Sequence, residues 1–318
     1  MTDLEQHLLA IIQDAFPLEK RPYLVLAEQL GSDEQSVFAA VENLRQSGII
    51  RRIGGVYDSK KLGFISRLCA GKVPTVVTGA ADDNALEKFA AAVNEIPAIT
   101  HNYVRSDEYN VWFTVIAQSE EEIQKIVDDV CAKTELHDVH VLSATKKYKI
   151  NTVMGGVVRR ALQPCKIPAR ILSDSDRTRI HIACDDIPHS LTPFKDWGVS
   201  CEELREDLAL KRMRRFGAIL RHQEAGFAFN AMVCLAELDK SPNNSAGAIL
   251  AQKPFISHCY DRPAFEGFPY TLYAMMHAQS ADELDRNIKE AAESIGNPDY
   301  VVLHSVRELK KTSYRFFA

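Results

Sequence analysis

The sequence lacks several features that would place the protein in a common class. No apolar run reaches the ~18 residues that a membrane-spanning helix needs. The first residues are acidic rather than basic and apolar, so we expect a cytoplasmic protein without a signal peptide or membrane contact. The seven cysteines form no CxxC pair, which disfavours a zinc site or a redox dithiol. The patterns GxGxxG, GxxxxGK[ST], HExxH and GxSxG are absent, which disfavours nucleotide-dependent, zinc-protease and serine-hydrolase chemistry.

The chain also lacks the excess of positive charge that is typical of nucleic-acid-binding proteins. Its 318 residues carry a formal net charge of −5. Residues 1–150 hold 16 Lys+Arg against 22 Asp+Glu, a net of −6, and the remainder holds 22 against 21, a net of +1. Neither half therefore indicates nucleic-acid binding by its bulk charge. The length predicts about two domains.

An internal repeat divides the chain into two homologous copies. Three short segments recur in the same order, at offsets of 163, 157 and 161 residues. The pairs are 51–56 with 214–219, 99–105 with 256–262, and 117–119 with 278–280. A stretch with glycine, proline and basic residues at 154–168 predicts the linker between the copies.

The hydrophobic spacing within each copy predicts the same α+β fold twice. Three helices and a β-ribbon at residues 49–56 predict a winged helix-turn-helix, and a βαββαβ order predicts a ferredoxin-like domain after it. The final strand of the first copy is predicted as one piece over residues 139–148. Pro193 and Gly198 interrupt the second helix of the second copy, so we expect that copy to be degenerate. The predicted domains are 1–56 and 57–153 in the first copy, the linker 154–168, and 169–219 and 220–318 in the second copy.

The helix-turn-helix copies raise the question of DNA binding. The candidate recognition helix at residues 33–47 has three acidic residues and one cation, Arg45, and its counterpart at 201–208 has four acidic residues and Arg205. Contacts with phosphates dominate affinity for DNA, so acidic helices disfavour this function. The alternative is that both copies serve as a scaffold.

The strongest chemical signal is an HxYxR pattern that occurs once in each copy. Alternate residues of a strand share one face, so each triplet projects three polar groups together. The triplets are His101, Tyr103 and Arg105, and His258, Tyr260 and Arg262. Such a face predicts a ligand site, because buried polar groups need partners. A hydrogen-bonded surface ladder or an interface network is the other interpretation.

Two arginine pairs and one histidine are further candidates. Arg51-Arg52 and Arg214-Arg215 could bind carboxylates through their planar guanidinium groups, although a solvated charged edge is the common alternative. His222 lies where the first copy has Ser59, so it would make a site asymmetric unless it is an incidental loop residue. Histidine, tyrosine and arginine without paired carboxylates favour an anionic substrate and proton transfer at carbon.

Together these segments resemble the siroheme decarboxylase family, which is related to the Lrp/AsnC regulators. The resemblance covers nearly the whole chain, and its most specific segment is residues 214–227. It implies a fused form that holds both family subunits in one chain. It also implies a carboxy-lyase that converts siroheme to 12,18-didecarboxysiroheme by loss of two acetate carboxyl groups as CO2. The family serves heme d1 biosynthesis or the siroheme-dependent haem route, and no cofactor beyond the iron-containing substrate is implied.

The resemblance also implies roles for the candidate residues. The six arginines would hold the carboxylates of siroheme, the three histidines would act as acids or iron ligands, and the two tyrosines would orient a carboxylate or donate a proton. Our hypothesis is that the main pocket uses the second copy, with His222 and His258 as candidate iron ligands. Residues 265–270 lengthen the hairpin after the second HxYxR strand, and the first copy would cover this pocket or hold a vestigial site.

Two other functions stay open from the sequence. One is a haem- or metabolite-responsive regulator of the Lrp/AsnC type, and the other is a tetrapyrrole carrier without turnover. We expect siroheme as the partner molecule and, beyond it, a homo-oligomer or related decarboxylase subunits.

Overall fold

The computed structural model describes residues 1–74, 83–150, 171–221, 229–236 and 245–318. The first copy contains α1 (Asp3–Ile12), α2 (Pro22–Leu30), α3 (Glu34–Gln46), β1 (Ile50–Tyr57), a 3-10 helix (Ser59–Leu62), β2 (Ile65–Gly71), α4 (Asp83–Asn94), β3 (Ile99–Arg105), β4 (Val111–Ala117), α5 (Glu120–Thr134), β5 (Val139–Leu142) and β6 (Lys146–Ile150). The second copy contains α6 (Asp174–Ala183), α7 (Pro193–Trp197), α8 (Cys201–Ala209), β7 (Met213–Leu220), β8 (Phe229–Leu235), α9 (Ala246–Ala251), β9 (Ile256–Asp261), β10 (Leu272–Ala278), α10 (Ala281–Ser294) and β11 (Tyr300–Lys311). The predicted linker at 154–168 and the candidate His222 lie outside the described residues.

The chain divides into two compact units, and each unit takes parts from both copies. Among the described residues, 1–62, 171–221 and 315–318 form the helix-turn-helix unit. Residues 63–74, 83–150, 229–236 and 245–314 form the sheet unit.

The helix-turn-helix unit begins from well-capped helices. Thr2 caps α1 and Ser173 caps α6, and each forms a capping box with the acidic residue three positions later. Both second helices start at a proline and end at a left-handed glycine, Gly31 in α2 and Gly198 in α7. Pro193 therefore starts α7 and does not interrupt it. The second copy departs from the first in the length of this helix, five residues against nine.

The predicted wing is built differently from the expectation. We expected each copy to form its own β-ribbon, but β1 pairs in antiparallel fashion with β7, one strand from each copy. Gly54 of β1 pairs with Gly217 of β7 at the centre of this ribbon. The ribbon therefore joins the two helix-turn-helix copies into one unit.

The sheet unit contains both βαββαβ domains in one nine-stranded sheet. The strand order is β5-β2-β4-β3-β11-β8-β10-β9-β6. The outermost strands, β5 and β6, are consecutive in the chain and joined by a short loop, so the sheet must curl until its two edges approach each other. The prediction of one strand over residues 139–148 was wrong, because this segment bends into β5, which pairs with β2, and β6, which pairs with β9. β11 is one continuous strand, but it also pairs with both copies. Its first part, residues 300–304, pairs with β8 of the second copy, and residues 305–311 pair with β3 of the first copy.

Each copy packs its helices on one face of the curled sheet. Phe89 and Val127 pack with Val104 in the first copy, and Leu284 packs with Cys259 in the second. The opposite face, here called the inner face, holds a third apolar cluster with residues of both copies, including Trp112, Tyr273 and Leu303. This inner face is where the two copies meet inside the sheet unit.

Candidate active site

Both HxYxR triplets lie on the inner face of the sheet. Strand alternation sends Val104 of β3 and Cys259 of β9 to the helices, so the residues on either side of them point inward. The two triplets have nearly the same internal geometry. The His101 and Tyr103 rings are 6.4 Å apart at 25°, and the His258 and Tyr260 rings are 6.2 Å apart at 24°.

The arginine of each triplet lies over the tyrosine ring of the same triplet and donates a hydrogen bond to a backbone carbonyl of the other copy. In both cases the guanidinium carbon lies 5.2 Å from the tyrosine ring centroid. Arg105 donates from Nη1 to the carbonyl of Leu303 at 3.0 Å, and Arg262 donates from Nη1 to the carbonyl of Leu142 at 2.7 Å. The two triplets are therefore related by an approximate twofold symmetry, and each depends on the other copy.

Neither of these arginines has a carboxylate partner within the described residues. Arg105 also donates to the Ser305 hydroxyl at 3.2 Å and lies 3.9 Å from the Met275 sulfur, which are both uncharged groups. It is only 6% exposed, and burial lowers its pKa below the usual range. Burial lowers the pKa of Arg262 in the same way. A buried cation without an anion is costly, so this arrangement fits a site that receives an anionic ligand.

Three further buried donors on the inner face lack a described partner. They are Nε of Arg105, Nε of Arg262 and the hydroxyl of Tyr273. Tyr273 is 2% exposed, and the guanidinium carbon of Arg262 lies 5.8 Å from its ring centroid. Unsatisfied donors are rare in folded proteins, which again indicates a ligand.

The two histidines have different surroundings. Nδ1 of His101 lies 3.0 Å from the Thr100 hydroxyl, and Nδ1 of His258 lies 2.9 Å from the Ser257 hydroxyl. In the second copy, Nε2 of His277 on β10 also lies 2.9 Å from the Ser257 hydroxyl. The position of His277 corresponds to Ile116 in the first copy, at the repeat offset of 161. His277 is not among the predicted site residues, although the alternation of Tyr273, Met275 and His277 on β10 could have placed it on this face.

The hairpin insertion of the second copy covers part of the first copy. Phe265 stacks on His140, with ring centroids 4.2 Å apart, and Phe268 packs on Trp112 at 5.7 Å. The Tyr109 hydroxyl donates to the Glu266 carbonyl at 3.1 Å. The aromatic side chains of the insertion therefore pack against the first copy's part of the inner face.

The arginine pairs belong to the helix-turn-helix unit, and their described hydrogen bonds go to backbone carbonyls of that unit. Arg52 donates to the carbonyls of Asp185 at 3.4 Å and Gly55 at 3.3 Å. Arg215 donates to the carbonyl of Gln13 and, at 3.1 Å, to that of Ala218. Each guanidinium thus reaches the end of the other copy's first helix, where cations are favoured.

Glycines beside these arginines allow the close approach of the helix ends. A Cβ atom on Gly54 would lie 2.2 Å from the Asp185 carbonyl oxygen, and one on Gly217 would lie 2.4 Å from that of Ile12. The remaining two arginines of the pairs are Arg214 and Arg51. Arg214 donates to the Tyr57 carbonyl at 3.0 Å, and Arg51 is partly buried on β1. The predicted contact of these four arginines with substrate carboxylates stays a prediction.

The cations of the candidate recognition helices are already engaged. Arg45 of α3 forms ion pairs with Glu42 at 3.5 Å and with Asp186 of the second copy, and its side chain is 7% exposed. Arg205 of α8 pairs with Glu19 at 2.5 Å. These contacts leave the helices still less suited to phosphates than their composition indicated.

Over the described parts of the chain, no cluster of three or more His, Cys, Asp or Glu side chains could hold a metal ion. No helix in the same parts is long and apolar enough to cross a membrane. The six described cysteines are free thiols.

Comparison with known proteins defines the class of this fold and then the family. An AsnC-like ligand binding domain matches residues 61–149 and 224–310, and a siroheme decarboxylase NirDL-like HTH domain matches residues 5–51. The chain is thus a tandem AsnC-like protein with a helix-turn-helix segment in front. A siroheme decarboxylase of Hydrogenobacter thermophilus is 32% identical over 327 residues, which cover 98% of this chain and 94% of that protein. The chain therefore belongs to the siroheme decarboxylase family.

Two further relatives bear on the organisation of the chain. The siroheme decarboxylase alpha subunit of Desulfovibrio desulfuricans is 45% identical over 150 residues, covering 47% of this chain and 82% of that subunit. The crystal structure of the siroheme decarboxylase NirDL in co-complex with an iron-uroporphyrin III analogue superposes with a TM-score of 0.67 at 29% identity. This match covers 99% of our chain and 95% of the other.

Proposed function

We propose that this chain decarboxylates siroheme, removing two acetate carboxyl groups as CO2 to give didecarboxysiroheme. The observation that carries this proposal is a pair of arginines, Arg105 buried and Arg262 half-buried, that have no acidic partner among the described residues. Each lies over a tyrosine ring in a strand that also presents a histidine. Siroheme is a polyanion with eight carboxylates, so it supplies the charge that these cations lack. Family membership supports the same substrate.

The residues on the inner face suit the chemistry of the reaction. Decarboxylation breaks the bond between the carboxyl carbon and the methylene carbon, and the electron pair stays on the methylene carbon. The conjugated macrocycle can delocalise this charge, and a proton must then reach the carbon to form a methyl group. Arg105 and Arg262 would hold carboxylates, while His258 and Tyr260 are the proposed proton donors, since histidine titrates near neutrality. We propose no cofactor beyond the substrate itself.

The contacts favour the second copy as the main site. Beside His258, the Ser257 hydroxyl also contacts His277, which the first copy replaces with Ile116. The insertion with Phe265 and Phe268 packs on the first copy's part of the inner face. Arg105 comes from the first copy but contacts Met275 of the second. The proposed site is therefore composite, with residues of both copies.

The direct test is anaerobic incubation of the purified, metal-free protein with siroheme, followed by mass spectrometry. We expect the loss of two CO2 units. Tight binding without mass loss would indicate a carrier or sensor, and an absence of binding would refute the tetrapyrrole assignment.

Separate alanine variants of the two strand histidines test the preference for the second copy. We expect His258→Ala to lower kcat by about 100-fold or more, as removal of a general acid typically does. His101→Ala should have a much smaller effect. Equal losses would show that both copies act, and full activity in both variants would exclude the strand histidines from catalysis.

A further inference from the structure

Lys147 of β6 lies on the inner face, directly across from Tyr260. The two residues are Cα partners in the antiparallel pairing of β6 with β9, and such partners project to the same face with Cβ atoms about 5 Å apart. The next residue, Tyr148, packs on the helix side of the sheet instead. Lys147 therefore neighbours the second-copy triplet in space, although it comes from the first copy in sequence.

Lys147 is a cation at an accessible point of the inner face. It is exposed, whereas Trp112 and Tyr273 of the same face are buried, so solvent and a dissolved ligand can reach the face at this position. Within the described parts of the chain, no carboxylate forms an ion pair with Lys147. The guanidinium carbon of Arg262 lies 5.2 Å from the centroid of the Tyr260 ring. Two cations without a described acidic partner thus border one tyrosine.

The first copy has the opposite charge at the equivalent position. At the repeat offset of 161 residues, the counterpart of Lys147 is Glu308, which is likewise the Cα partner of the triplet tyrosine, Tyr103. The Glu308 carboxylate lies 3.8 Å from Nζ of Lys311, so these two charges offset each other. The second copy has Ile150 in place of Lys311. The residues across from the two tyrosines therefore differ in sign, although the ring geometry of the triplets is nearly identical.

We propose that Lys147 binds a carboxylate of the tetrapyrrole substrate beside Tyr260, and that this contact directs the substrate to the second-copy triplet. The inference rests on the proposed function for the identity of the substrate. A lysine ammonium is a point charge on a flexible stem, which suits a carboxylate at the rim of a macrocycle. In the first copy, Glu308 repels a carboxylate from the equivalent place. Because Lys147 comes from the first copy, the second-copy site is incomplete without it.

The test is an anaerobic absorbance titration of the full-length protein with siroheme, followed by mass spectrometry of the tetrapyrrole. Lys147→Met should weaken Kd about five- to tenfold, between the effects of an exposed ion pair and a buried charge-assisted bond. Lys147→Glu should weaken Kd at least about thirtyfold, because it brings like charges together. Lys147→Arg keeps the charge and should stay within about threefold of the wild type. Since Lys147 is exposed, none of these variants should shift the urea midpoint of unfolding.

Two matched controls come from the same strands. Nζ of Lys146 lies 4.6 Å from the centroid of the Tyr148 ring, on the helix side of the sheet. Lys146→Met therefore removes the same charge from the other face and should leave Kd within about twofold of the wild type, because solvent and salt screen the charge there. Glu308→Gln removes the acid beside Tyr103, and Kd should stay the same or become tighter.

Three results would overturn the proposal. Equal weakening in Lys147→Met and Lys146→Met would indicate a long-range charge effect and not a contact. An unchanged Kd in Lys147→Met and Lys147→Glu would remove Lys147 from the site. A weaker Kd in Glu308→Gln would remove the preference for the second copy.

The same titration separates this proposal from the proposed function. Siroheme that binds but loses no CO2 would refute the decarboxylase activity alone, because the Kd values of the variants still decide whether Lys147 holds a carboxylate. A wild-type protein that does not bind siroheme would refute both.

Discussion

Replacing Arg105 with methionine tests whether this arginine binds the substrate or stabilises the fold. In the fold, Arg105 donates to the Leu303 carbonyl and the Ser305 hydroxyl, and losing these two bonds from a charged donor costs about 1.5 kcal/mol each. Against this loss, the variant removes a buried cation that has no carboxylate partner among the described residues. Relief of its desolvation is worth several kcal/mol. We therefore expect the free energy of unfolding of Arg105→Met to be unchanged or higher.

Siroheme binding should respond in the opposite direction. One charge-assisted hydrogen bond to a carboxylate is worth about 1.5–3 kcal/mol, which corresponds to roughly a 10- to 150-fold weaker Kd. Urea denaturation measures the free energy of unfolding, and an anaerobic absorbance titration with siroheme measures the Kd.

Arg307 offers a matched control, because it is an arginine of the same sheet that has an acidic partner. Arg307 on β11 pairs with Glu87 at 2.6 Å, and its side chain is 49% exposed, so Arg307→Met should change stability by less than about 1 kcal/mol and leave Kd unaltered. Arg262→Met should behave like Arg105→Met if both arginines hold substrate. A loss of more than about 3 kcal/mol of stability with unchanged siroheme affinity would show that Arg105 is a structural residue and refute the reasoning.

Three other expectations follow from the contacts. Gly217→Ala should destabilise the protein by more than about 2 kcal/mol in urea denaturation, because its Cβ would lie 2.4 Å from the Ile12 carbonyl oxygen; a cost under about 1 kcal/mol would contradict the packing. Between pH 7 and 5, His277 binds a proton in the unfolded chain but stays neutral in the folded protein. The free energy of unfolding therefore falls as the pH drops below about 6.5. Over that range His277→Ile should lose about 2 kcal/mol less than the wild type, and parallel pH profiles would show that His277 is not buried as a neutral ring. Fluorescence anisotropy with duplex DNA at physiological salt should show no binding tighter than about 10⁻⁴ M, and salt-dependent micromolar binding would restore the regulator hypothesis.

Much of the local structure could be predicted from the sequence because its signals are local. The three helices and the strand at 49–56 that the spacing predicts in the first copy are present as α1, α2, α3 and β1. The repeat predicted two copies of one fold, and the family matches and the sheet order confirm this. The alternation in HxYxR placed each triplet on one face of its strand, since a period of two residues is a property of the strand alone.

The partners of those residues could not be predicted from the same patterns. Spacing along a strand does not indicate which distant strand pairs with it, so the joining of β1 with β7 and the separation of β5 from β6 were both missed. The Arg51-Arg52 and Arg214-Arg215 pairs had the composition of a carboxylate site. Whether a guanidinium meets a ligand or a helix end depends on the chain that folds beside it.

The sequence by itself determined that there are two copies, that each presents a histidine, a tyrosine and an arginine together, and that the recognition helices are acidic. Only the tertiary structure decided that Arg105 and Arg262 cross to the opposite copy and that His277 reaches His258 through Ser257. The physical reason is that face and period are fixed by the backbone of one strand. Hydrogen bonds between residues far apart in the chain exist only once the folded sheet brings their strands together.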